Sequence, residues 1–230
     1  QGDGVDTITE VSMSDYYRRT YDGASRDTIK FGEGIKVNDL NFEYDGADAH
    51  VSFKGSDTDK LILKNFQGST LDKFEFASGS VLHKSDIQIG TAGDDTLVGN
   101  DNTNIISGND GDDTLIAGSG DDVLDGGAGA DTYVIDANDT GTKTINMSSN
   151  NDSVDTIRLD GVNSSDVQFE AQDDDLVILF KKNQDLISKV IVDKFYDDAN
   201  ENADNIQIET ADATTDMFAQ RLRNIKDVSI

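Results

Sequence analysis

Cysteine, proline and tryptophan are absent from the 230 residues of this chain, and histidine occurs only twice, at His50 and His83. The lack of cysteine excludes disulfides and thiolate chemistry, and with so few histidines a zinc site is not expected. We interpret both histidines as surface or edge residues. The sequence also lacks a nucleophile elbow, a phosphate-binding loop and a zinc-protease motif, so no enzymatic activity is predicted.

Long hydrophobic segments are missing as well. No run approaches the roughly 18 apolar residues that a membrane-spanning helix needs, and the first residues do not have the pattern of a secretion signal peptide. The chain begins instead with QGDGVDTIT, which places Asp6 in a partial copy of a nine-residue pattern that recurs later. We therefore expect this chain to be a segment of a longer parent protein.

Basic residues are scarce. The chain has 19 Lys and Arg against 46 Asp and Glu, so its formal net charge is -27 at pH 7. Such a surface repels phosphate groups, which argues against nucleic acid or an anionic membrane as a partner. The same charge favours cations as ligands.

Five nine-residue repeats run without a phase slip from Gly90 to Val134. They read GTAGDDTLV, GNDNTNIIS, GNDGDDTLI, AGSGDDVLD and GGAGADTYV, with the shared pattern small-x-x-Gly-x-Asp-x-apolar-x. The first six positions favour a tight turn, and the last three favour a short strand with one inward side chain. Such short strands must stack to bury a core. The predicted inward residues, all at position eight, are Leu97, Ile106, Leu115, Leu124 and Tyr133.

Position six of each repeat carries an oxygen-bearing side chain, namely Asp95, Asn104, Asp113, Asp122 and Asp131. Calcium takes about six to eight oxygen ligands, and glycine-rich turns leave main-chain carbonyl groups accessible. Two stacked turns can therefore close a cage, which predicts calcium as the bound cofactor. The predicted ligand residues are the aspartates and turn glycines Asp95, Asp110, Asp113, Asp122, Asp131, Gly90, Gly93, Gly108, Gly111, Gly118, Gly120, Gly126, Gly127 and Gly129. The alternatives are a calcium-free Gly/Asp-rich loop and a disordered acidic segment, and disorder does not require an apolar residue at every ninth position.

This nonapeptide resembles the glycine-and-aspartate repeat of the RTX (repeats-in-toxin) proteins, which is a calcium-binding repeat. The resemblance implies a parallel β-roll in which two repeats make one turn, so that alternate repeats lie on the same side. Position six then forms two rows, a first edge with Asp95, Asp113 and Asp131 and a second edge with Asn104 and Asp122. These rows offer up to three calcium sites. The second edge is the weaker one, because Asn102 and Asn104 replace the usual Gly and Asp.

The segments on either side of the repeats, residues 27–53 and 155–180, resemble each other. Both begin with Asp-Thr-Ile and continue into a predicted hairpin, which in the first copy turns at Asp45-Gly46. They resemble the β unit that accompanies haemolysin-type calcium-binding repeats. We predict an all-β fold in which a parallel β-roll is flanked by two related β-sandwich or β-sheet capping units, with few short helices. The predicted domains are an N-terminal capping unit at 1–89 that begins in a partial repeat, the roll at 90–134, and a C-terminal capping unit with a terminal helix at 135–230.

Three local predictions accompany this domain scheme. Residues 14–20 and 214–226 are predicted to form short helices, the first with Ser14 as its N-cap. Tyr133 is the one aromatic residue among the predicted inward positions, and the nonapeptide phase stops after it. We therefore predict that its ring covers the end of the roll.

The RTX resemblance implies a calcium-dependent folding and structural module of a large type I-secreted protein, either a toxin, an adhesin or an exported enzyme. Its crowded aspartates would keep it unfolded at cytosolic calcium, and extracellular calcium would drive folding. It would be secreted or exposed on the surface of a Gram-negative bacterium, with its parent chain and the type I secretion machinery as partners. The alternative is an adhesive or partner-binding domain, suggested by the basic and aromatic cluster at 16–21. Packing of that cluster against the adjacent β unit is the competing interpretation.

Overall fold

The computed structural model describes residues 17–20, 27–54, 60–69, 71–146, 153–182, 185–195 and 206–215. The chain divides into two compact units, Gln1–Ile89 and Gly90–Ile230. The described residues form strands, turns and three short 3-10 helices, with no α-helix among them. The predicted all-β class and parallel β-roll are therefore confirmed. None of the described segments is a helix long and apolar enough to cross a membrane.

The first unit contains the strands β1 (Tyr17–Thr20), β2 (Asp27–Phe31), β3 (Leu40–Asp45), β4 (Asp48–Phe53), β5 (Lys60–Leu63), β6 (Leu71–Glu75), β7 (Val81–His83) and β8 (Ile87–Ile89). One sheet has the order β1-β2-β6-β7, with β2 and β6 parallel. The other sheet is the antiparallel order β3-β4-β5. In the first sheet, the ring centroids of Phe31 and Phe74 are 6.0 Å apart. The ring of Phe42, from the second sheet, lies 5.7 Å from that of Phe74. The predicted hairpin at Asp45-Gly46 is formed by β3 and β4.

The helix predicted at 14–20 is wrong where it can be compared. Tyr17–Thr20 is a strand that pairs antiparallel with Asp27–Phe31, with Tyr17 opposite Phe31. A helix of seven residues is unstable unless tertiary packing supports it. The edge of β2 instead offers main-chain hydrogen bonds to an extended segment.

The second unit contains β9 (Thr96–Val98), β10 (Ile105–Asp110), β11 (Thr114–Ile116), β12 (Asp122–Ala128), β13 (Thr132–Asp136), β14 (Gly141–Asn146), β15 (Asp155–Asp160), β16 (Val167–Gln172), β17 (Asp175–Lys182), β18 (Asp185–Asp193), β19 (Ile206–Thr210) and β20 (Ala213–Thr215). Strands β9, β11, β13, β15 and β19 stack in parallel in one sheet, and β20 pairs antiparallel at its end. Strands β10, β12, β14 and β18 stack in parallel in the other sheet. The hairpin β16–β17 extends that sheet beyond β18.

Parallel stacking does not stop at Val134, where the sequence predicts the end of the roll. Strands β14, β15, β18 and β19 continue the alternation between the two sheets, so the predicted boundary falls inside one compact unit. The terminal helix predicted at 214–226 is wrong at its first two residues, which belong to strand β20. Its remaining residues lie outside the described ones.

The core of the second unit lies between its two parallel sheets. One inward column consists of Leu97, Leu115, Tyr133, Ile157 and Ile208. The facing column consists of Ile106, Leu124, Ile145 and Val192. The five predicted inward residues all belong to these columns, and all except the partly buried Leu97 lie in the buried cluster.

The prediction that Tyr133 ends the roll is wrong, because Ile157 stacks beyond it. The Tyr133 side chain is 1% exposed. Its hydroxyl oxygen accepts a hydrogen bond of 3.0 Å from the main-chain N–H of Gly126. The aromatic ring therefore lies in the core between Leu115 and Ile157 of the neighbouring coils.

Candidate metal centre

The position-six side chains form the two predicted rows at the turns of the roll. On the first edge, Oδ1 of Asp113 accepts the N–H of Asp95 at 2.7 Å, and Oδ1 of Asp131 accepts the N–H of Asp113 at 2.9 Å. On the second edge, Oδ1 of Asp122 accepts the N–H of Asn104 at 2.8 Å. One carboxylate oxygen of each pair thus links two successive coils, which leaves the other oxygen for a further partner.

The predicted ligand residues divide between the two edges according to their repeats. The first edge holds Gly90, Gly93, Asp95, Gly108, Asp110, Gly111, Asp113, Gly126, Gly127, Gly129 and Asp131. The second edge holds Gly118, Gly120 and Asp122.

The first edge contains one carboxylate that is absent from the predicted ligand set. Oδ1 of Asp155 accepts the N–H of Asp131 at 3.0 Å, so Asp155 takes position six of the next coil. The sequence does carry a signal for it, because Asp155-Thr-Ile repeats the Asp-Thr-apolar order of positions six to eight. The predicted domain scheme places this residue in a separate flanking unit instead.

Two buried carboxylate oxygens on the first edge have no hydrogen-bond partner. They are Oδ2 of Asp113 and Oδ2 of Asp131, and both residues are 1% exposed. Unpartnered buried oxygens are costly, and a cation would satisfy them. By contrast, Oδ2 of Asp95 accepts from the N–H and hydroxyl of Thr91, at 2.6 and 2.8 Å.

Glycine is needed where these oxygens converge. A Cβ on Gly108 would lie 2.1 Å from Oδ2 of Asp113 and 2.4 Å from the carbonyl oxygen of Gly126. Similarly, a Cβ on Gly126 would lie 2.1 Å from Oδ2 of Asp131. Within the described ranges, no three carboxylate or imidazole side chains meet as a metal site. A cation on this edge would therefore take most of its oxygens from the main chain, whose carbonyl groups are among the ligands that calcium accepts.

Burial controls the acidity of the first edge. It raises the pKa of Asp131 to about 6 and that of Asp155 to about 7, and it also raises the pKa of Asp113. The pKa of Asp95 is lowered, because Thr91 donates hydrogen bonds to its carboxylate. The inner carboxylates are thus unfavourable as anions unless a positive charge lies beside them. Calcium fits both this charge and these oxygens.

The second edge differs because nitrogen atoms of the chain occupy its gaps. The side-chain amide of Asn104 donates to the carbonyl oxygen of Asn102 at 2.5 Å and to Oδ1 of Asp122 at 3.2 Å. In the next gap, Nζ of Lys143 lies 3.0 Å from Oδ2 of Asp122, and both side chains are 0% exposed. Burial raises the pKa of Asp122 to about 6, although the Lys143 ammonium acts to lower it.

Lys143 is a second position-six residue that the nonapeptide phase does not predict. Residues 141–146 read GTKTIN, which matches positions four to nine of the repeat with Lys at position six. This copy lies three residues later than the phase of the array predicts, and Lys replaces the expected Asp. The structure pairs Lys143 directly with Asp122 across the parallel strands.

Comparison with known proteins identifies the family of these repeats. The sequence profile of the RTX calcium-binding nonapeptide repeat (four copies) matches residues 85–115 and 98–133. The chain is similar to the AlgE6R3 subunit of the Azotobacter vinelandii mannuronan C5-epimerase, at 25% identity over 51% of this chain and 79% of that one, with a TM-score of 0.27. It is also similar to the extracellular lipase LipA from Serratia marcescens, at 18% identity over 77% of this chain and 32% of that one, with a TM-score of 0.27. This chain thus spans about a third of the lipase's length. No curated protein matches it in sequence.

RTX nonapeptide repeats bind calcium and serve as structural modules of the proteins that carry them. Residues 85–133 of this chain are RTX calcium-binding nonapeptide repeats, and they form part of a parallel β-roll.

Proposed function

We propose that this chain is a calcium-dependent folding module of a large exported RTX protein, and that it has no catalytic role of its own. The observation that carries the proposal is the pair of buried, unpartnered oxygens on the first edge, Oδ2 of Asp113 and Oδ2 of Asp131. Calcium supplies the positive charge that lets both carboxylates stay ionised in the folded roll. A site that forms only on folding couples cation binding to folding.

The proposed cation site lies between the coils of Asp113 and Asp131. Oδ2 of Asp113 and the carbonyl oxygen of Gly126 both lie within 2.4 Å of the position that a Cβ on Gly108 would take. The equivalent gap toward Asp95 is a second site, which the carboxylate of Asp95 reaches by exchanging its Thr91 hydrogen bonds for the cation. The third gap, between Asp131 and Asp155, has the same linking hydrogen bond between its position-six residues.

The charge distribution supports folding after export. From Gly90 to Val134 the sequence contains no Lys, Arg or His, so without a cation the first-edge aspartates repel one another. At low cytosolic calcium this repulsion keeps the chain unfolded and suited to type I secretion. Outside the cell, sites of the extracellular class with dissociation constants of about 10⁻⁴–10⁻³ M would fill. The parent protein would then be a toxin, an adhesin or an exported enzyme at the surface of a Gram-negative bacterium.

The alternative role, an adhesive or partner-binding domain, depends on the cluster at 16–21. Its described part, Tyr17–Thr20, pairs with β2 along its main chain. That pairing favours a structural role for the segment, and the adhesive function stays a prediction.

A calcium titration tests the proposal, with folding followed by circular dichroism and binding by isothermal calorimetry. The chain in EDTA should lack most of its β signal, and calcium should restore it in one cooperative transition. Magnesium should not replace calcium, because it requires a smaller octahedral shell and gives up its water reluctantly.

Two variants with the same chemical change provide the control. Asp113→Asn removes a first-edge charge and should weaken calcium binding. Asp173→Asn makes the same change in the exposed turn between β16 and β17, and it should bind like the wild type. A full β signal in excess EDTA, or equal affinities for the two variants, would overturn the proposed function.

A further inference from the structure

Lys143 is a lysine whose side chain is completely buried at the edge of the roll. Its Nζ donates to the carbonyl oxygen of Gly120 at 2.6 Å and to that of Thr140 at 2.8 Å. It also lies 3.0 Å from Oδ2 of Asp122. A buried ammonium is stable only when oxygen atoms surround it and an opposite charge compensates it. The two carbonyl oxygens and the Asp122 carboxylate supply these oxygen atoms, and the carboxylate also supplies the opposite charge.

These three oxygens lie in the gap between the coils of Asp122 and Lys143, and hydrogen bonds identify the corresponding gap on the first edge. The N–H of Gly120 donates to the oxygen of Thr140 at 2.9 Å, as the N–H of Gly111 donates to the oxygen of Ala128 at 2.8 Å. Thr140 therefore corresponds to Ala128 of the first edge. A second pair of hydrogen bonds, two residues further on, gives the same alignment. The N–H of Thr142 donates to Asp121 as that of Ala130 donates to Asp112, both at 2.8 Å.

The alignment identifies what Nζ replaces. On the first edge, the equivalents of the Gly120 oxygen, the Thr140 oxygen and Oδ2 of Asp122 are the Gly111 oxygen, the Ala128 oxygen and Oδ2 of Asp113. Neither carboxylate oxygen has a hydrogen-bond partner, but the Lys143 ammonium lies 3.0 Å from the second-edge oxygen as an ion pair. The two edges thus present the same oxygen set, one with a nitrogen cation in place and one without.

We propose that the Lys143 ammonium is a built-in substitute for calcium, which closes the gap between the coils of Asp122 and Lys143 without a metal ion. The neighbouring gap is closed in a related way, since the amide of Asn104 donates to the Asn102 oxygen and to Oδ1 of Asp122. Calcium then binds along the first edge alone. Once the roll is folded, the geometry of the second edge does not depend on the calcium concentration. This inference rests on the proposed calcium-dependent function of the first edge.

The first test is calcium stoichiometry. Lys143→Asp removes the ammonium and restores the repeat's usual residue at position six, so it should bind one more calcium per chain than the wild type. Lys181→Asp changes the net charge equally on an exposed strand residue, and it should keep the wild-type number. A folded Lys143→Asp protein with the wild-type stoichiometry would contradict the inference. A wild type that binds no calcium at all would instead contradict the proposed function.

The second test uses the wild type and does not depend on the folding of a variant. Reductive methylation of lysines, read by mass spectrometry, reports which ammonium groups reach solvent. In saturating calcium Lys143 should stay unmodified under conditions that fully modify Lys181. If calcium enters the second edge and displaces the ammonium, Lys143 should be modified at a rate close to that of Lys181. That result would refute the proposal even if Lys143→Asp failed to fold.

Discussion

The ammonium of Lys143 lies 3.0 Å from Oδ2 of Asp122, and neither side chain reaches solvent. Asp113 is the residue of the first edge that corresponds to Asp122, and its Oδ2 is buried without a hydrogen-bond partner and without an ammonium beside it. The hydrogen bonds between coils are equivalent at these two positions, and we propose that the ammonium separates a gap that the chain closes itself from one that takes a cation. The two edges should therefore respond differently to substitution, to calcium and to acid.

Asp113 should contribute more to calcium binding than Asn104. Asp113→Ala removes a buried carboxylate between two coils of the first edge, and we expect calcium affinity to fall by about tenfold or more. Asn104→Ala removes an amide that already occupies its own gap and should leave affinity nearly unchanged. Isothermal calorimetry on both variants measures the difference. Wild-type affinity in Asp113→Ala would mean that the first edge does not bind the ion.

Restoring the repeat on the second edge should add a site. Asn102→Gly with Asn104→Asp removes the amide donor and supplies the usual turn glycine and carboxylate. The double variant should bind one more calcium than the wild type in the same calorimetric experiment. An unchanged number would show that the amide of Asn104 does not determine whether this gap takes a cation.

Gly108 should be essential for the shape of the first edge. Gly108→Ala places a Cβ 2.1 Å from Oδ2 of Asp113, so we expect calcium affinity to fall by at least about tenfold, a loss of about 1.4 kcal/mol. Gly93→Ala is the matched control, because alanine keeps the main-chain carbonyl that Gly93 offers as a ligand and its Cβ would find nothing nearer than the Thr91 hydroxyl at 4.0 Å. Equal calcium affinities for the two alanine variants would show that the space in front of Gly108 is not part of the site.

Acid should stabilise the calcium-free roll. Asp131 and Asp155 have pKa values of about 6 and about 7 in the fold, above the ordinary value of 3.8. The folded state therefore holds more protons than the unfolded one between about pH 4 and 7, so the free energy of unfolding rises as the pH falls through this range. Circular dichroism in EDTA should show more β structure at pH 5 than at pH 7.5.

Calcium binding should respond to pH in the opposite direction, because the ion requires deprotonated carboxylates. Asp155→Asn should reduce the gain in β structure on acidification in EDTA, whereas Asp160→Asn, at an exposed position, should not. This comparison separates the buried group from the general loss of negative charge. If β structure in EDTA does not increase below pH 7, the raised pKa values do not govern folding.

Tyr133 should matter for stability through both its ring and its hydroxyl. Tyr133→Ala should lower the free energy of unfolding by ~3–5 kcal/mol, because it leaves a cavity in the middle of the inward column. Tyr133→Phe keeps the ring but leaves the buried N–H of Gly126 without its partner, which should cost about 1–3 kcal/mol. Denaturant unfolding in saturating calcium measures both. Equal midpoints for the alanine variant and the wild type would contradict the packing described for this ring.

Local spacing in the sequence determined the repeat chemistry. The nine-residue period predicted the inward column from Leu97 to Tyr133. The resemblance of that repeat to the RTX nonapeptide implied the parallel roll and the two rows of position-six side chains. These features depend on contacts between residues 18 apart, such as Asp95 with Asp113, which recur identically along the array. A fixed period in the sequence predicts such contacts directly, because they always join residues at the same separation.

Only the tertiary structure decided how the coils continue after Val134. Lys143 and Asp155 take position-six places after insertions that shift the nonapeptide phase, so no fixed period connects them to Asp122 and Asp131. Hydrogen bonds between stacked coils restore the register in space, because exposed parallel strands accept a further strand of suitable pattern whatever its distance along the chain. The same cause places Ile157 beyond Tyr133 and makes Tyr17–Thr20 a strand. The sequence therefore defined the two rows of position-six side chains, and three-dimensional stacking placed Lys143 beside Asp122 in one of them.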